Sequence, residues 1–381
     1  MLDDALRGCR VLDLSQYLPG PYATRLLADL GAEVVKIEPP AGDPMRTFIC
    51  RDDDGISPLY KQVNAGKIVV FLDLKSGGGQ AAFAELVTAA DVLLESFRPG
   101  VLERLGFGRE RLAEFNPRLI HCALSGFGQD GPASQRAGHD LTYMALSGML
   151  HSTGTVQTPV IPFPPVSDYA GGEKAAAMIL AALLKRQRTG AGCFLDTSLF
   201  ETVLAWQSFG QAAAQQAGPD LGRGRGLITG GAACYQIYPT ADDRFVVLAA
   251  LEAKFWHAFC CAVERPDWID RQQEPLPQTA LIAELRAFFA SADRDAWVAR
   301  LARVDCCFEP LLEPEEVLRQ PQVVARHLLA PAVGNSLPAD ILLPLHVDGE
   351  PPRSRRPLVT VAAEDVAARW RTPFVPAPEV R

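Results

Sequence analysis

The sequence predicts an α/β protein, a parallel sheet covered by helices with a smaller α+β unit after it, and three observations carry that prediction. Strand-like and helix-like segments alternate through the first third of the chain. Proline and glycine punctuate the alternation, at Pro19-Gly20-Pro21, Gly31 and Pro39-Pro40. A glycine-rich stretch over 218–231, read as a linker or mobile loop, then precedes a hairpin pattern and three helical ones.

In order, 10–14 (RVLDL) reads as a buried strand and 22–30 as an amphipathic helix closed by Gly31, which suits a left-handed cap. The segment 33–38 (EVVKIE) is a second strand, stopped by Pro39-Pro40. A third strand follows over 67–74, a helix over 80–90, a fourth strand over 91–95, a helix ending at 112–115 and a fifth strand over 119–124. Right-handed crossovers between such strands give a Rossmann-like layered domain. The stretch 135–150 (QRAGHDLTYMALSGML) reads as a helix entry followed by a buried helix, and 166–185 as an acid and two glycines opening a deeply buried helix. A further helix is expected over 197–213, a hairpin over 235–251 turning at Ala241-Asp242-Asp243, and helices over 255–263, 280–290 and 294–302. The proline-rich tail from Asn335 ends in a short helix over 364–371.

Composition removes several function classes. With a net charge of −8 and no basic run, neither nucleic acid nor an anionic membrane surface is an expected partner. The apolar run 175–184 stops at Lys185, too short to span a bilayer, and the first residues (MLDDALRGCR) lack the basic start of a signal peptide, so a cytoplasmic protein is expected. Nine cysteines without a CxxC pair read as reduced thiols, and no metal site is expected. After the first strand the chain runs SQYLPGPYA instead of GxGxxG, and no P-loop occurs, which argues against a nicotinamide dehydrogenase.

Four groups of residues remain as candidates for chemistry. His139 and Asp140 stand together at a helix entry, where the bland reading is an N-terminal acid beside a polar corner. Asp168 precedes Gly171-Gly172; by itself it is a helix cap, but the two glycines would let a thioester oxygen approach the backbone. Glu252, between hairpin and helix, is either a first-turn acid or the carboxylate that polarises a histidine. Lys36, Lys67, Lys75, Arg98 and Arg104 fall at or after strand ends, where open α/β sheets bind ligands and where single cations are otherwise merely solvated.

Taken together, RVLDLSQYLPGPYATRLLADLGAEVVKIEPPAGDPMR, NAGK, DLKS, ESFRPGVLERLG, SGFGQDGP, AGHDLTYMALSGML and VSDYAGGEKAAA resemble the class III CoA-transferase (CaiB/BaiF) family over nearly the whole chain. The resemblance implies a large Rossmann-like domain built from both chain ends (1–200 and 325–381), a linker over 201–228, a small domain over 229–324, and an interlocked homodimer. It implies an acyl-CoA substrate bound through Lys36, Leu74, Lys75, Arg98, Arg104, Gly171 and Gly172, with coenzyme A entering as part of the substrate and no permanently bound cofactor.

Two chemistries share that scaffold. Transferases use the aspartate matching Asp168 as a nucleophile that becomes an aspartyl-CoA thioester. The α-methylacyl-CoA racemases set it against a histidine, and their GHD motif falls on Gly138-His139-Asp140 and their glutamate on Glu252. Two departures are visible: Pro39 stands where the family often has Arg, and Leu18 where transferases have glutamine. The expectation is therefore an enzyme that epimerises the α-carbon of a 2-methylacyl-CoA by 1,1-proton transfer, with catalytic His139, Asp168 and Glu252 and with Asp140 ordering the site. A CoA-transferase acting through Asp168 is the alternative, and a non-catalytic CoA-ester binder the second.

Overall fold

A computed structural model describes residues 2–215, 221–330 and 340–372. Gly218 of the glycine-rich stretch and Asn335 at the start of the tail fall outside them. The chain divides into two compact units, the first comprising Met1–Tyr143, Pro165–Val203 and Gln320–Arg381 and the second Met144–Pro164 and Leu204–Arg319.

The first unit begins β1 (Arg10–Asp13), α1 (Pro19–Asp29), β2 (Glu33–Glu38), α2 (Pro58–Asn64), β3 (Ile68–Phe71), α3 (Gly77–Ala89) and β4 (Val92–Glu95). It continues with α4 (Val101–Arg104), α5 (Arg109–Phe115), β5 (Ile120–Ser125), α6 (Asp140–Leu146), α7 (Val166–Thr189), β6 (Cys193–Ser198) and α8 (Leu199–Trp206), α6 and α8 running on into the second unit. Pro19 opens α1 because a first-turn residue has no use for its missing N–H. Gly31 ends the helix at φ +95, where an added Cβ would stand 2.4 Å from the Asp3 carbonyl oxygen.

The second unit holds α9 (Ser208–Gln215), β7 (Tyr235–Pro239), β8 (Phe245–Ala249), α10 (Ala253–Ala262), α11 (Thr279–Phe289), α12 (Arg294–Leu301), β9 (Phe308–Pro310) and α13 (Pro314–Val317). The expected hairpin is β7–β8, and β9 adds an antiparallel third strand that the sequence reading lacked. Its core packs Trp256, Phe259, Trp268 and Phe289, with the Trp256 indole N–H donating to the carbonyls of Trp268 and Ile269 at 3.0 and 3.1 Å. Part of the stretch expected as a linker, 201–228, is helical, in α8 and α9.

The chain then returns to the first unit as α14 (Pro321–Ala325), β10 (Leu329–Ala330), β11 (Asp340–Ile341), β12 (Val359–Thr360) and α15 (Ala363–Arg371). The large sheet has seven strands in the order β12-β3-β2-β1-β4-β5-β6, every neighbouring pair parallel. Leaving out β12, this is the Rossmann strand order, and the direction of winding reverses between β1 and β4. Successive strand residues face opposite ways: Leu12 joins Val35, Leu93 and Phe83 on one side, and Val11 joins Val34, Val92 and Ile179 on the other. Both faces are buried, which is why these strands read as continuous apolar runs.

Strand β6 was not expected from the sequence, and its last two residues, Thr197 and Ser198, fell in the helix expected over 197–213. Cys193–Ser198 stays extended in register with Ile120–Ser125 and the helix starts only at Leu199. As an edge strand it tolerates Asp196 and the hydroxyls of Thr197 and Ser198, which blur the pattern. No helix among the described residues is long and apolar enough to cross a membrane.

Candidate active site

Asp168 does not cap α7; it sits in the first turn, and the helix is capped from elsewhere. The Asp140 carboxylate accepts hydrogen bonds from the Ser167 N–H and hydroxyl, both at 2.6 Å, and from the Asp168 N–H at 3.3 Å. One side chain thus takes two of the N–H groups that a helix start leaves free. It also ties the turn carrying His139 directly to the turn carrying Asp168. His139 itself is fixed by Thr142, whose hydroxyl accepts from the His139 N–H at 3.0 Å and donates to its carbonyl at 2.7 Å.

This arrangement decides the electrostatics of Asp168. Burial raises its carboxyl and the neighbouring Asp140 charge raises it further, to about 7. The positive end of α7 would ordinarily favour the anion, but Asp140 occupies the donors through which it acts. Tyr143, which the sequence reading left in the core, closes this corner. Its phenol is pushed up to about 12 by burial and by Asp168, with Arg98 opposing, so its hydroxyl stays a neutral donor. The signal for it is Gly138 together with Gly126. A Cβ on either would stand 2.6 and 2.5 Å respectively from Tyr143 ring or hydroxyl atoms, so only glycine leaves the ring its place.

The sheet's switch point places the loops after β1 and β4 side by side, and the Gln16 N–H donates to Ser96 Oγ at 3.1 Å across them. Arg98 is exposed in the second loop; Lys75 and Arg104 are exposed after β3 and at the end of α4. Those three remain available to an anion.

Five expected ligand contacts are corrected. Lys36 is fully buried, its ammonium 3.0 Å from Asp43 Oδ2 and donating to the Ser15 carbonyl at 2.8 Å, so it meets an internal carboxylate and no phosphate. Lys67 is likewise interior, bonded to Asp13 at 3.0 Å, the Pro21 carbonyl at 2.8 Å and Asn64 Oδ1 at 2.9 Å. The Leu74 side chain packs in the core, and its carbonyl accepts from Gln80 Nε2 at 3.1 Å. Gly171 and Gly172 are not openings for a ligand. A Cβ on Gly171 would lie 2.2 Å from Leu199 Cδ2 and one on Gly172 2.6 Å from the Pro19 carbonyl oxygen, so they are the contact surface of α7 with α8 and α1. Glu252 is exposed just before α10, in the second unit, and its side chain makes no capping hydrogen bond. Among the described residues no cluster of His, Cys, Asp and Glu is suited to hold a metal ion.

A doubly wound sheet, with a buried carboxyl raised to about 7 and a histidine on the turn bonded to it, is the kind of site that enzymes of the α/β class use. The profile of CoA-transferase family III matches residues 6–358. The chain is 33% identical to an acetyl-CoA:oxalate CoA-transferase of Acetobacter aceti, over 98% of this chain and 96% of that protein. It is 35% identical to the human alpha-methylacyl-CoA racemase, over 82% of this chain and 79% of the other. A CAIB/BAIF family protein from Brucella suis superposes with a TM-score of 0.82 at 25% identity, covering 96% of this chain and 99% of that one. The chain therefore belongs to CoA-transferase family III, as its motifs had suggested, and is an enzyme of that family.

Proposed function

We propose that this enzyme epimerises the α-carbon of a 2-methylacyl-CoA thioester by proton transfer through an enolate. The observation that carries the reading is the junction in which Asp140 binds the Asp168 turn while its neighbour His139 stands beside it, with Asp168 raised to about 7. A carboxyl titrating near neutrality both takes and gives a proton, as inversion in two directions requires. In one direction the Asp168 carboxylate removes the α-proton, the C–H electron pair moves into the enolate, and the His139 imidazolium protonates the carbon from the other face. In the other direction neutral His139 removes the proton and the Asp168 carboxylic acid returns one. Glu252 is assigned to hold the imidazole in one tautomer. Lys75, Arg98 and Arg104 supply charge for the phosphates of coenzyme A, which enters only with the substrate. A cytoplasmic homodimer belongs to the same proposal, in keeping with Met178 and Leu184 of α7, 40% and 61% exposed.

The second reading, a CoA-transferase, is favoured by the match to the oxalate transferase over nearly all of both chains. There Asp168 attacks the thioester carbonyl and expels CoA thiolate, which then attacks the aspartyl carbonyl of the resulting anhydride. That releases the first acid and leaves CoA on Asp168. One experiment separates the two. A 2-methylacyl-CoA incubated in D2O should gain α-deuterium and lose optical activity, and His139→Ala should end both. Absence of exchange with transfer of CoA to added oxalate, unaffected by His139→Ala, overturns the first reading in favour of the second.

A further inference from the structure

A base that must work on one face of a carbon needs its ring held, and the usual device is a hydrogen bond to one imidazole nitrogen. His139 makes no such bond among the described residues; Thr142 fixes only its main chain. What meets the imidazole is an aromatic ring. Tyr17 stands edge-to-face with it, ring centroids 6.4 Å apart and planes at 87°.

Tyr17 reaches that place in a backbone conformation it would not choose. Its φ is +62, in the left-handed region that side-chain-bearing residues rarely adopt. Such strain persists only where the surroundings over-determine it. Here they do so one residue at a time. The Ser15 N–H donates to Asp13 at 2.9 Å while its carbonyl accepts from Lys36 at 2.8 Å. The Gln16 N–H is held by Ser96 Oγ, and the Tyr17 N–H donates to Asp43 Oδ1 at 3.3 Å. Asp43, 2% exposed, is fixed in turn by Lys36 at 3.0 Å and by the Met45 N–H at 2.9 Å. All this buried charge is spent on three residues of main chain, and the side chain it delivers is 42% exposed, contributing little to the core.

We infer that Tyr17 is a positioning residue for the His139 imidazole, held against it by the buried Lys36–Asp43 pair. The inference rests on His139 acting as acid and base, as proposed above. The ring edge limits rotation of the imidazole and leaves both its nitrogens free, one for the substrate proton and one for a tautomer-setting partner. The same pair explains why Lys36, at the end of a strand, faces inward.

The test has two arms. In the first, α-deuterium exchange is measured across pH for Tyr17→Phe and Tyr17→Leu. Phe keeps the ring and should stay within about twofold of the wild type, whereas Leu should lower kcat by roughly three- to tenfold at nearly unchanged KM, the scale of an aromatic pair. The shape of the pH–rate profile should change in Leu and not in Phe. In the second arm no substrate is needed. The carbon-bound ring protons of His139, assigned by their loss in His139→Gln, carry a ring-current shift that Tyr17→Leu removes and Tyr17→Phe retains. Asp43→Asn should disturb the same resonances without touching either ring; if it does not fold, the Tyr17 variants decide alone. Resonances unmoved in Tyr17→Leu, or exchange in Tyr17→Leu equal to wild type, overturn the inference. A wild type with no exchange, whose His139 signals nonetheless move in Tyr17→Leu, overturns the epimerase reading and leaves the positioning contact standing.

Discussion

Asp13 and Asp168 belong to the same unit, and their surroundings drive them in opposite directions. Burial alone would raise the Asp13 carboxyl, but Lys67 and Lys36, with hydrogen bonds from Ser15 and Thr24, hold it well below the usual carboxylate range. Burial also raises Asp168, and there the nearest charge is another carboxylate, Asp140, so the two effects add. Opposite charges make Asp13 a permanent anion that ties the ends of β1 and α1 to Lys67; like charges make Asp168 a group whose proton is available. Fold and chemistry thus draw on the same residue type, and what distinguishes them is the sign of the neighbour.

The strongest way to break the comparison is Asp168→Asn. It should lower α-proton exchange by about 10²- to 10⁴-fold, the span for a lost acid or base, while the variant unfolds no earlier than wild type in urea at pH 8. Retained exchange would return Asp168 to a purely structural role. Next comes Lys67→Met, which takes from the buried Asp13 anion its directly bonded cation and leaves it Ser15, Thr24 and the more distant Lys36, and should cost about 3–5 kcal/mol in the same titration. A loss below about 1 kcal/mol, the range of a surface pair, would mean that Asp13 is not held as argued.

The pH dependence of stability sharpens the contrast. A carboxyl raised in the folded state contributes stability that is present below its ordinary value and lost as pH rises through about 7, at no more than about 1.4 kcal/mol per pH unit. Glu95, raised to about 7 by burial, adds to the same slope, so the quantity to measure is the difference between wild type and Asp168→Asn between pH 4 and 7. Asp13, lowered, should contribute only on the acid side, where its stability is lost as pH falls. The smallest effect is Asp140→Asn. It keeps an oxygen for the Ser167 and Asp168 N–H groups, removes the like charge, and should shift the Asp168 limb of the pH–rate profile to lower pH, with stability changed by about 1 kcal/mol or less.

Much of this was legible in the chain. The strands β1 to β5 and the helices α1, α3 and α5 follow from apolar runs bounded by Gly and Pro, because a strand buried on both faces has no other composition available, whereas the short helices α2 and α4 carry no such pattern. What escaped was whatever depends on a partner distant in sequence. Lys36 reads as a phosphate ligand until Asp43 is found beyond the Pro39-Pro40 turn. Gly171 and Gly172 read as a ligand approach until α1 and α8 fill the space. Asp140 reads as an acid at its own helix entry, and the helix it caps begins at residue 166. Tyr17 carries no local mark, since its strain is imposed by Asp43.

Strand β12 and helix α15 have a consequence for how the protein is made. The Arg10 guanidinium donates to the Trp370 carbonyl at 2.8 Å, and Trp370 packs in the same cluster as Leu12 and Phe83. Strand β1 therefore waits for helix α15, 360 residues later in synthesis. Until then the edge of β3 stays open, and the apolar side chains that Val366 and Trp370 will cover stay wet. A growing chain with such an edge is sticky for as long as translation lasts. The second unit draws on no residue beyond Arg319, so it is complete while the first still lacks its border strand. Assembly is thus inside-out in time: the second unit can fold before β12 and α15 arrive to complete the sheet that β1 began.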